Sequence, residues 1–266
     1  MSVADKKFKT PFESLGAIIL DAIAFQGRFF LFVSESVRRI FYPMLSRDLL
    51  LKQMEFVGNR SFGVAVLAGT MVGAIFGFQL GEIFKIFGAE SMIGAAAGFT
   101  LSKELAPVVG SMLVTGRAGS AMAAEIATMR VNEQIDAMRV MAINPYSYLV
   151  APRIAASVLM MPLLTSIFVM SGVAASFVIG VNFYNVDVGV FFDKMMWIIE
   201  PSAVIHGLEK SMIFGFIFSS VGCFTGFHAR GGAKGVGRAT TSAVVASLVM
   251  ILITDFFVSY LQFQSS

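Results

Sequence analysis

Long apolar runs separated by short polar segments set the pattern of this chain. Residues 61–81 run without a charge for 21 positions, about the length needed to cross a bilayer as a helix. Comparable runs follow at 91–116, 154–186, 204–227 and 239–260. The pattern predicts an all-α, polytopic membrane protein with five spans. Residues 1–60 differ: nine Lys/Arg and six Asp/Glu are mixed among apolar residues. Within them, 14–32 holds Asp21 and Arg28, and 34–42 holds Glu35, Arg38 and Arg39. Such interrupted apolarity predicts an N-terminal interfacial elbow helix, with a sixth span as the alternative. The expected organisation is an N-terminal region at 1–60 and a transmembrane domain at 61–266.

Residues 117–153 form the longest polar stretch after the N-terminal region. Ala124, Ala127, Val131, Ile135, Met138 and Ala142 recur at steps of three and four, which makes one apolar stripe of a helix. Glu125, Asn132, Glu133, Asp136 and Arg139 fall opposite. Asn144-Pro145 ends the expected helix, since the residue before proline is pushed out of helical geometry. A stiff amphipathic helix between two spans lies on the membrane surface or docks onto a partner. Arg130/Glu133 and Asp136/Arg139 have the i,i+3 spacing of pairs on a solvated face.

Small residues form rows within two spans. Gly69, Gly73, Gly77 and Gly81 share one face of the first, and Gly172, Ser176 and Gly180 one face of the third. Such rows let helix backbones approach closely, and packing within one chain is the expected use. A dimer contact or a lining for a lipid chain is the second reading. The segment 187–201 reads as an aromatic loop, with Tyr184, Phe191, Phe192 and Trp197 placed as a membrane-interface belt. Residues 228–238, HARGGAKGVGR, read as a glycine-rich basic loop.

Composition agrees: 56% of residues are hydrophobic and 14% charged, with mean hydropathy +0.78. Lys6, Lys7 and Lys9 precede an apolar run in the manner of a signal peptide, but Asp21 interrupts that run. The distribution of basic residues sets the expected orientation. With 1–60, 117–153 and 228–238 in the cytoplasm, sixteen Lys/Arg lie inside against Lys85 and Lys194 outside. The N-terminus is then cytoplasmic and the C-terminus on the outer side. A single cysteine, Cys223, excludes an internal disulfide, and two histidines are too few for a metal cluster.

Ionisable residues inside spans carry the strongest chemical signal, because each is costly when alone in the bilayer. At 1.5 Å per helical residue, Glu104 lies about 20 Å from Arg117, Lys210 about 27 Å from His228, and Asp255 about 25 Å from Arg238. The three share one depth and are expected to meet as a charge cluster, with Lys103 as a possible fourth member. A structural ion-pair cluster and a hydrated substrate cavity both fit. No nucleophile–base pair is apparent. The glycine-rich stretches at 116–120 and 231–235 lack the spacing of a nucleotide-binding loop. Neither an enzyme nor a nucleic-acid binder is indicated.

Three longer stretches carry a resemblance: LSKELAPVV at 101–109, GRAGSAMAAEIATMRVNEQIDAM at 116–138, and NPYSYLVAPR at 144–153. With GRATTSAVV at 237–245 they resemble the MlaE/YrbE permease family. Lys103 and Ala106 stand where that family's pattern has Arg and Gly. The resemblance implies the permease subunit of an ABC transporter that moves phospholipid between the inner and outer membranes of a double-membraned bacterium. It implies an inner-membrane homodimer whose outer side, with the C-terminus, is periplasmic, and a cytoplasmic ATPase, a periplasmic MCE-domain protein and a small STAS-type cytoplasmic subunit as partners. ATP and Mg would then bind the ATPase, with no cofactor in this chain. The segment holding Arg117, Glu125, Arg130, Glu133, Gln134, Asp136 and Arg139 would be the coupling helix. Two rival readings remain at this point: a proton-coupled secondary transporter using Glu104 and Asp255, and a non-transporting scaffold for a periplasmic partner.

Overall fold

The computed structural model describes the backbone of residues 11–40 and 46–265, all helices and connections with no strand among them. Lys6, Lys7 and Lys9 lie outside the described residues. Helix α1 (Pro11–Ile40) is a single element of 30 residues. Its described apolar side chains Ile23, Phe30 and Leu31 are exposed, while Phe32 and Ser36 are buried. Phe32 meets Tyr146, Phe224 and Phe227 at ring distances of 5.4, 5.4 and 5.6 Å. One face of α1 is thus fixed to the bundle and the other left to its surroundings.

Helices α2 (Arg47–Val57) and α3 (Asn59–Ile86) join at Gly58. The second apolar run is helical but composite: α4 (Ile93–Thr100), a π-helical turn at Leu101–Leu105, α5 (Ala106–Val114), a second π-turn at Thr115–Gly119, and α6 (Ser120–Val131). Pro107 explains the first π-turn. It has no N–H to donate to the carbonyl four residues back, so the ladder shifts register and the Ala106 N–H bonds Leu101 O. After α7 (Gln134–Val140) and a third π-turn at Tyr146–Val150 come α8 (Ala151–Tyr184), α9 (Val188–Ile198), α10 (Pro201–Phe227) and α11 (Gly232–Ser265).

Four helical stretches among the described residues are long and apolar enough to cross a membrane: Arg47–Ile86, Tyr146–Tyr184, Pro201–Phe227 and Gly232–Gln264. The remaining expected span, 91–116, is helical but carries Lys103 and Glu104 at its π-turn. The polytopic, all-α architecture holds.

Three local expectations change. Residues 187–201 are not a loop: Asp187 caps α9 by accepting from the Val190 N–H at 3.1 Å. Phe191 leaves the expected aromatic belt, because it is buried between Gly94 and Gly180 in a cluster with Ile93 and Val186. The basic stretch 228–238 is mostly helix, since α11 begins at Gly232.

The α3 row faces Gly172 and Ser176 of the α8 row, while Gly180 faces Phe191. Gly69, Gly73, Gly77 and Gly81 are all buried on α3, against Phe168, Gly172, Ser176 and Tyr184 of α8. A Cβ at Gly73 would overlap the backbone of Gly172, and one at Gly77 would lie 3.2 Å from Ser176 Cα. Close backbone approach of this kind replaces hydrophobic driving force where lipid is the solvent. The rows serve packing within the chain.

Candidate functional site

The intramembrane charges converge. Lys210 on α10 is 0% exposed, and its Nζ donates to Glu104 Oε2 at 2.5 Å and to Ser259 Oγ at 2.7 Å. Asp255 Oδ1 lies 3.3 Å from the same nitrogen, as an ion-pair contact. The three acidic and basic groups come from three elements: the first π-turn, α10 and α11. Gly207 makes the approach possible, since a Cβ there would overlap the carbonyl of Ser102. One turn further along α10, Lys210 then reaches Glu104 across the π-turn.

Expectation and geometry agree for Glu104, Lys210 and Asp255. Lys103 does not join them: its ammonium lies 5.4 Å from the Phe99 ring centroid instead. Ser259 is the member that sequence reasoning missed, and its i+4 spacing from Asp255 was the available signal. One lysine between two carboxylates leaves a formal excess of negative charge when both are ionised. Burying charge is costly, and mutual pairing offsets that cost only with good partners on every side. Lys210 has three. Glu104 is 39% exposed at its side chain, so the cluster is sealed around the lysine and open at one acid.

The polar segment at the other end of α10 is not one helix. It breaks at Asn132–Glu133, where Glu133 takes a left-handed φ of 61°. Helix α7 then ends at Val140, four residues before Asn144, and Ala142 is also left-handed at φ 59°. Asn132 and Glu133 at the break are both exposed. Ile135 is buried, and the Arg139 guanidinium lies 5.6 Å from the Phe227 ring centroid. These contacts hold α7 against α10.

Arg130 pairs with Asp136 at 2.7 Å, not with Glu133, and Arg139 joins Asp136 at 3.2 Å. The break explains the change, since it removes the i,i+3 geometry of Arg130 and Glu133. Glu125 accepts from Arg153 at 2.9 Å, a link to the start of α8. Arg117 turns inward: its Nη1 donates to Phe56 O at 2.9 Å and Ser61 Oγ at 2.8 Å. Glu133 and Gln134 stay exposed. Beyond them Val140 is 88% exposed, and Met141 and Ile143 are exposed as well. The segment therefore presents an apolar tip beside a small charged face, a combination that marks contact surfaces.

The family model described as Permease MlaE matches residues 50–261. The chain belongs to the MlaE permease family. A probable ABC transporter permease protein of Rickettsia felis is 40% identical over 238 residues, covering 90% of this chain and 92% of the relative. One from Synechocystis sp. is 39% identical over 222 residues, covering 84% of each. The Arabidopsis thaliana protein TRIGALACTOSYLDIACYLGLYCEROL 1, chloroplastic, is 41% identical over 216 residues, or 81% of this chain and 62% of that protein. The matched region of this MlaE permease takes in the charge cluster, the facing glycine rows and the broken polar segment.

Proposed function

We propose that this MlaE-family chain is the membrane subunit of an ABC transporter that moves phospholipid, with ATP hydrolysed on a separate subunit. The carrying observation is the apolar tip at Val140, Met141 and Ile143 beside exposed Glu133 and Gln134. It lies at the basic end of α10, while the buried charge cluster lies toward the other end. A subunit docked on α6–α7 acts on α10 and α11 directly, because α6 packs against both. Those two helices also carry Lys210 and Asp255, so motion at the tip is delivered to the cluster by stiff elements.

A lipid substrate is supported by the name of the Arabidopsis relative, which refers to a diacylglycerol lipid. Apolar side chains on α11, among them Val249, Ile253, Phe256 and Tyr260, are exposed on the single chain. In the proposed assembly a second copy and acyl chains cover them, with Glu104 facing headgroups. The basic end faces the cytoplasm of a double-membraned bacterium, in its inner membrane, and an MCE-domain protein receives lipid on the periplasmic side. The STAS-type subunit belongs with the ATPase. The MlaE membership and the distribution of basic residues favour this reading over a proton-coupled transporter.

Affinity purification of the tagged permease from its own membranes tests the proposal. A co-purifying ATPase, and ATP-dependent transfer of labelled phospholipid by the reconstituted assembly, are the expected results. Purification with a periplasmic partner alone would leave a scaffold and overturn it.

A further inference from the structure

At the basic end, α1, the last turn of α10 and the start of α11 line an open groove of about 250 Å³. Arg230, Arg238, His228 and Ser242 line it, together with the rings of Phe25 and Phe224. Those two rings meet edge to face at 5.4 Å. No acidic residue lines the groove among the described residues. Arg230 and Arg238 are exposed and, like Arg28, Arg38, Arg47, Arg60 and Arg117, form no ion pair among the described residues; what distinguishes them is that both line one groove.

The connection that carries these arginines is tight. Gly231 and Gly232 adopt φ of 92° and 65°, values favoured by glycine. Gly235 is buried, and a Cβ there would lie 2.6 Å from the carbonyl carbon of Arg230. The turn thus keeps Arg230 and Arg238 at one groove rather than spread along a loop. Two guanidinium groups with no carboxylate beside them among the described residues, next to hydroxyl-bearing Ser242, suit a phosphate, whose oxygens match the planar donor fork.

The apolar side of the groove points to the form of that phosphate. Phe25 lies on the bundle-facing side of α1 with Phe29 and Phe32, all three against Phe224, yet it is 52% exposed, so the groove carries an apolar ring at its mouth. In a multi-pass protein the end of a bundle meets the membrane interface, where basic pockets between helices accept anionic lipid headgroups. We infer that this groove binds the phosphate of an anionic phospholipid held at the protein edge. The site is separate from the charge cluster, since Lys210 and His228 stand about 27 Å apart along α10. It requires only that the bundle end lie at an interface, and does not depend on what the protein transports.

The test uses the purified assembly in nanodiscs of phosphatidylcholine with or without phosphatidylglycerol, with native mass spectrometry of retained lipid. Wild type retains phosphatidylglycerol over phosphatidylcholine. R230Q/R238Q lowers that preference about 25-fold, at about fivefold for each arginine. R230K/R238K keeps much of it, and Lys234→Gln, on the same turn but outside the groove lining, keeps it all. An unchanged preference in R230Q/R238Q overturns the site, as does an equal loss in Lys234→Gln, which would mean diffuse surface charge. Complete displacement of phosphatidylglycerol by millimolar inorganic phosphate would assign the groove to free phosphate and overturn the lipid assignment. Loss of ATPase co-purification in R230Q/R238Q with the lipid preference intact would make the arginines a protein contact instead.

Discussion

The α3–α8 seam and the Lys210 cluster solve the same problem, holding helices together in lipid, by opposite means. The seam removes side chains until backbones touch, with Gly73 against Gly172. The cluster adds charges that lipid cannot solvate and pairs Lys210 with Glu104 and Asp255, the latter by an ion-pair contact in which Oδ1 accepts no hydrogen bond among the described residues. The seam has least slack at Gly73, where an added atom meets only the backbone of Gly172. The cluster has one open side at Glu104, so it can exchange partners. The first is suited to a fixed scaffold and the second to a part that changes during transport.

The sharpest break of this contrast is Gly73→Leu. Its Cβ already overlaps Gly172, and overpacking against backbone costs more than the about 1–3 kcal/mol typical of adaptable cores. Membrane-inserted, folded protein is expected to fall severely, measured by size-exclusion profile and protease resistance. Ile75→Leu, on the exposed face of the same helix, is expected to behave as wild type. Equal behaviour of the two would make the row incidental.

Val140→Asp comes next. It places a charge on the exposed apolar tip and is expected to reduce ATPase co-purification about tenfold, the scale of one well-packed contact residue, with folding unchanged. Normal recovery of the ATPase would move the docking surface elsewhere.

Ser259→Ala sharpens the comparison within the cluster. It removes one of three partners of Lys210 and is expected to cost about 1.5–3 kcal/mol of stability, the range for a hydrogen bond to a charged group. A thermal melt of the purified protein checks it. A loss as large as that of Gly73→Leu would mean that the cluster has no more tolerance than the seam. The smallest effect is expected from Asp136→Asn. Its pairs with Arg130 and Arg139 are half exposed, and such pairs contribute under about 1 kcal/mol.

Much of this arrangement was legible in the sequence where one helix sufficed to show it. The glycine rows follow from 3.6-residue periodicity, and the shared depth of Glu104, Lys210 and Asp255 follows from helical rise. What two helices do together was not legible: nothing in either small-residue row says that it meets the other. Local chain breaks were missed for a different reason. Glu133 is an ordinary helix former, and tertiary contacts of Ile135 and Arg139 override that preference. Phe191 matched an aromatic belt by position, but Gly94 and Gly180 leave a space that its ring fills. Pro107 was a readable signal of the π-turn that presents Glu104.

The central claim is that the charge cluster serves transport and does not merely hold the fold. Lys210→Ala tests it most directly, in vesicles reconstituted with the co-purifying ATPase, by ATP-dependent transfer of labelled phospholipid per inserted permease. Removing a buried partner is ordinarily destabilising by about 3–5 kcal/mol. Here Glu104 and Asp255 keep 39% and 21% side-chain exposure, so solvation relieves part of that cost. Transfer per inserted molecule is expected to fall at least about tenfold, the scale of a 1.4 kcal/mol change at the site. Asp255→Asn in the same chain is expected to restore part of it by rebalancing charge. Wild-type transfer per inserted molecule by Lys210→Ala would contradict the claim.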